Sequence, residues 1–103
     1  MNITYTKKLY LSDERIDKDA VRADILREKP KRGMFVLVMP PGGKDLLDIM
    51  PAKELNKPIM KDRDITVVGL AKGYRRSVKL AERIIGDAYA FDNGLDLHGY
   101  FSH

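Results

Sequence analysis

Two nearly unbroken apolar runs, 34–39 (MFVLVM) and 65–71 (ITVVGLA), set the framework of the chain, and each leads through a glycine-containing connection toward a helix-like segment. A strand that is apolar on both faces needs cover on both. A parallel sheet flanked by helices supplies it, whereas a sheet with one wet face alternates apolar and polar positions. A third, shorter strand is predicted at 7–11 (KKLYL). After it, Asp17 or Asp19 is placed to cap a helix running to about Glu28, with Ala20, Val21, Ile25 and Leu26 as its apolar stripe. Pro30 closes that helix by disfavouring helical geometry at Lys29.

Pro40 and Pro41 end the 34–39 run as a strand, because neither can donate to a ladder. The residues beyond them predict a short helix over 44–50, with Leu46, Leu47, Ile49 and Met50 available for burial, and Pro51 can start a further turn through Leu55. The clearest helical pattern covers 74–91. There Val78, Ala81, Ile84, Ile85, Ala88 and Phe91 recur at three-and-four spacing, and Gly94 offers a left-handed cap. The tail holds Leu95, Leu97, Tyr100 and Phe101, too much apolar surface to leave in water, so it is expected to dock on the body or on a second copy. The predicted architecture is a single α/β domain over 1–103 with βαβαβα order, two or three layers, and a mostly parallel three-stranded sheet whose open edges favour a homodimer.

Composition narrows the function classes. The chain has 103 residues, 44% hydrophobic and 33% charged, enough for one compact core. No window reaches the roughly 18 apolar residues of a membrane span, and the first residues lack an export leader, so no membrane and a cytoplasmic location are expected. With no cysteine, thiolate metal sites and thiol nucleophiles are excluded. The net charge of +4 is unevenly spread: residues 61–83 carry seven basic and three acidic groups, while 84–103 carry three acidic groups and no Lys or Arg. Nucleic acid is a permitted partner on charge alone but not the favoured one, since the sequence lacks a dense basic stripe interleaved with aromatic residues.

In a parallel sheet the loops after the strands meet helix N-termini, where backbone N–H groups and the helix dipole favour anions. Two loops qualify as a small anionic-ligand site: Gly42, Gly43 and Lys44, and then Lys72, Gly73, Arg75 and Arg76. A Walker loop is excluded, because Val38 and Asp45 stand where its first glycine and its hydroxyl belong. Asp45 and Asp48 read as complements to a helix dipole. His98 and His103 do not complete a metal site, and Ser12, Ser77 and Ser102 lack nucleophile context, so no catalytic residue, metal or cofactor is assigned.

Residues 35–55 followed by 65–85 resemble a family of small bacterial proteins of about this length, chiefly from Firmicutes, through LLDI at 46–49 and VGLAKGY at 68–74. The resemblance implies a standalone α/β domain and no established activity. Members often carry acidic or neutral residues where Arg75 and Arg76 stand here, so it supports Lys72 and Gly73 more than the two arginines. The expected function is a non-enzymatic interaction or accessory protein. The alternatives are a binder of, or enzyme on, a small phosphorylated or nucleotide-like anion, and weak nucleic-acid binding.

Overall fold

The computed structural model describes residues 2–39, 47–91 and 96–102. Its four strands are β1 (Asn2–Leu11), β2 (Met34–Met39), β3 (Asp48–Pro51) and β4 (Asp64–Lys72). The three α-helices are α1 (Lys18–Leu26), α2 (Tyr74–Phe91) and α3 (Leu97–Phe101), and two 3₁₀ turns, Ala52–Asn56 and Pro58–Met60, lie between β3 and β4.

The strands form one mixed sheet in the order β1-β4-β2-β3. Of the paired strands only β1 and β4 are parallel; β2 runs antiparallel to both of its neighbours. This corrects the expected mostly parallel three-stranded sheet. The apolar runs at 34–39 and 65–71 are adjacent, as expected, but opposed in direction. Helices and turns cover both faces of the sheet, so its central strands are apolar throughout whichever way they run. Residues 48–51 also depart from expectation, forming the edge strand paired to β2 rather than the end of a helix. Asp48 therefore sits exposed on a strand and complements no helix dipole; Asp45 and the other residues of 40–46 lie outside the described residues, as does Gly94.

The sheet divides two cores. On one face Val36, Val38, Ile65, Val67 and Leu70 pack with Val21 and Ile25 of α1 and with Ala52 and Leu55 of the first 3₁₀ turn. On the other, Leu37, Met39, Val68 and Ala71 pack with Leu80, Ile84 and Ala88 of α2 and with Leu97 and Tyr100 of α3. Asp17 caps α1, its carboxylate accepting from the backbone N–H groups of Asp19 and Ala20 at 3.1 Å. In α2 the buried positions are Ser77, Leu80, Ile84 and Ala88. The apolar stripe is thus turned by about one residue at its N-terminal end relative to Val78 and Ala81. Ser77 can occupy that buried place because its hydroxyl donates to the Gly73 carbonyl at 2.8 Å.

The tail docks on its own body. Leu97 is fully buried and Tyr100 is 9% exposed. Among the described residues, no helix is long and apolar enough to cross a membrane.

Candidate functional site: a basic end of the sheet

Strand direction decides which loops meet. Lys72, the last residue of β4, pairs opposite Met34, the first residue of β2, whereas Met39 at the far end of β2 pairs with Thr66. Five residue steps along a strand separate those ends by about 17 Å. Gly42, Gly43 and Lys44 lie outside the described residues; β2, which precedes them, ends at the far end of the sheet from Lys72, so the two loops do not follow strands of one direction, the ground on which they were expected to converge.

Antiparallel pairing brings different cations to Lys72 instead. The turn that precedes β2 carries Lys31 and Arg32, and the Gly73 N–H donates to the Gly33 carbonyl at 2.8 Å, tying that turn to the start of α2. On the other side of β2, Phe35 pairs with both Ala71 and Pro51, which sets Lys53 just past the same end of the sheet. Lys31, Arg32 and Lys53 line a groove of ≈ 390 Å³ there. Arg75 and Arg76 occupy the first turn of α2 and Lys79 the next. All seven side chains are exposed. Among the described residues none of the seven forms an ion pair; the ion pairs there are Arg15 with Asp13, Arg27 with Asp24 and Lys57 with Glu54.

The first turn of α2 holds no acidic residue. Two arginines at the positive end of a helix dipole are unfavourable for the helix, while the same arrangement raises the potential that an anion meets. Tyr74 beside them is 63% exposed and packs edge-on against Phe35, with ring centroids 6.0 Å apart. The acidic group near Lys72 is Asp13. Hydrogen bonds from Arg15 hold its carboxyl down at about 2, with a smaller contribution from Lys72 itself.

Gly33 and Gly73 both have φ of 84°, in the left-handed region. A Cβ at Gly73 would meet nothing within 4 Å, so its requirement is conformational and not steric. Gly73→Ala is expected to cost about 1–2 kcal/mol in chemical denaturation, with Gly73→Asn recovering part of that loss because asparagine tolerates the left-handed region.

A second polar feature joins three elements on the α2 face. Lys8 Nζ donates to the Tyr100 hydroxyl at 2.6 Å, the Tyr100 and Tyr10 hydroxyls lie 2.6 Å apart, and the Tyr10 hydroxyl donates to Asp87 Oδ2 at 2.8 Å. Burial, then the bond to Tyr100, then that to Asp87 push the Tyr10 phenol far above its ordinary value. Tyr10 therefore keeps its proton, and the row serves as a clamp that fastens α3 to β1 and α2. Tyr10 and Tyr100 are 90 positions apart. No local spacing in the sequence announces them.

No family model, curated protein or solved structure matches the chain.

Proposed function

We propose that this protein is a non-catalytic interaction module that binds the phosphate backbone of a nucleic acid at the sheet end where β4 meets α2. The observation that carries this reading is the cluster of seven exposed cations at Lys31, Arg32, Lys53, Lys72, Arg75, Arg76 and Lys79, none of them in an ion pair among the described residues. Cations spread over the end of β4, two turns and the first turns of α2 suit a run of phosphates better than one small anion, which a few convergent donors can satisfy. Tyr74 adds an exposed ring on which an unpaired base can stack.

Fluorescence anisotropy with a labelled single-stranded oligonucleotide tests the proposal. If about four phosphates are neutralised, affinity should fall roughly 50-fold between 50 and 200 mM salt, as condensed counterions are released. Arg75→Gln combined with Lys72→Gln should weaken binding at low salt and flatten the salt slope. Binding that ignores salt, or that is unchanged in the double variant, overturns the reading. Stronger binding of inorganic phosphate or a nucleotide than of the oligonucleotide would assign the same end to a small phosphorylated ligand.

A further inference from the structure

We propose that the protein forms a two-fold homodimer by antiparallel pairing of β1 with β1 of a second copy, centred on Thr4. β1 is the outermost strand of the sheet, and its first half stays in register with β4 from Asn2 to Tyr5. That half reads NITYT at 2–6, with no charge, no proline and three β-branched residues among the five. Proteins usually blunt an exposed edge with charges, proline or a bulge. Here the irregularity in register comes only after Tyr5, and the lysines only at Lys7 and Lys8. The open edge is thus protected in its second half and pairing-competent in its first.

The surface beside this half is also incomplete. Ile3 and Tyr5 border a groove of ≈ 530 Å³ shared with α1, whose Leu26 is 85% exposed. Arg22 lies over the Tyr5 ring at 4.5 Å and Glu28 is on the groove rim. Neither takes part in an ion pair among the described residues.

A second copy of this chain fits the edge because the edge is self-complementary. A two-fold axis at Thr4 sets Thr4 against its own symmetry mate, Ile3 against Tyr5 of the second copy, and Asn2 against Thr6 of the second copy. Each is an uncharged cross-strand pair. Side chains alternate along a strand, so Ile3 and Tyr5 face the groove while Thr4 faces away, and the added strand extends the apolar surface beside Leu26 in both copies. Arg22 and Glu28 put opposite charges on the lining of each groove. Shifting the centre to Tyr5 would bring Lys7 opposite Ile3, which disfavours that register.

Sedimentation of the full chain should show a dimer at high micromolar concentration. Thr4→Lys should convert it to a monomer with its circular dichroism unchanged, because Thr4 is exposed in one copy while two ammonium groups would meet across the axis. The chain has no cysteine, so Thr4→Cys supplies a single thiol. Opposed antiparallel residues have Cα atoms about 4.5–5.5 Å apart, within disulfide reach, so this variant should cross-link to its own copy on mild oxidation and Asn2→Cys should not. A monomeric wild type, a dimer unaffected by Thr4→Lys, or a Thr4→Cys variant that fails to cross-link would each overturn the proposal. The cross-link decides the matter even if Thr4→Lys fails to fold.

Discussion

Ile84→Ala should lower the unfolding free energy by about 2–5 kcal/mol, because the side chain is fully buried between α2 and the sheet and its neighbours can close the space only in part. Ile85→Ala, one position round the helix and half-buried, should lose distinctly less. The contrast matters more than either value, since it reads out which face of α2 meets the sheet. Ser77→Val sharpens the same test. It removes the hydroxyl bonded to the Gly73 carbonyl and should destabilise despite being more apolar. Equal losses at Ile84 and Ile85 in urea titrations would contradict the packing described for α2.

Tyr100→Ala should cost about 3–5 kcal/mol and release α3 from the body, because it deletes a buried ring together with the central hydroxyl of the Lys8–Tyr100–Tyr10–Asp87 row. Tyr100→Phe keeps the ring and its edge contact with Phe101 at 5.1 Å, and Tyr10 keeps Asp87, so its cost should be about 1 kcal/mol. Hydrogen exchange locates the effect. Amides of α3 should lose protection in the alanine variant while those of β4 retain it. Uniform loss across the sheet would show that the row supports the whole fold rather than the tail.

Much of the fold was legible in the sequence, and what was lost follows from strand direction. The strand at 34–39, the helix over 74–91 and a cap at Asp17 or Asp19, of which the helix uses Asp17, all rest on local signals: an apolar run ended by prolines, a helical period, and an aspartate before an amphipathic stretch. Direction has no such local mark here. Once helices cover both faces, a central strand such as β4 is apolar on both sides in either orientation, so the inference from apolar runs to parallel strands fails. Half of the candidate site depended on that inference. Lys72, Gly73, Arg75 and Arg76 are neighbours in sequence and were found together. Lys31, Arg32 and Lys53 reach the same end only through the antiparallel register of β2 and could not be grouped from spacing. The edge strand at 48–51 was missed because Leu46, Leu47, Ile49 and Met50 satisfy a helical period over a window too short to exclude a strand. Tyr100 gave a partial signal, as an aromatic residue in a tail too apolar to be solvated.

The pairing of β1 with β4 also fixes the order in which the chain can assemble. β2 and β3 are close in sequence, with Val38 opposite Asp48, and can meet early, whereas Asn2 must wait for Asp64. At translation rates of about 5–20 residues per second, that wait lasts about 3–12 s on the ribosome. β1 therefore cannot enter the sheet until β4 has been made. Throughout that interval NITYT emerges with both backbone edges unsatisfied, the period in which a nascent chain is most exposed to association with a neighbour on the same message.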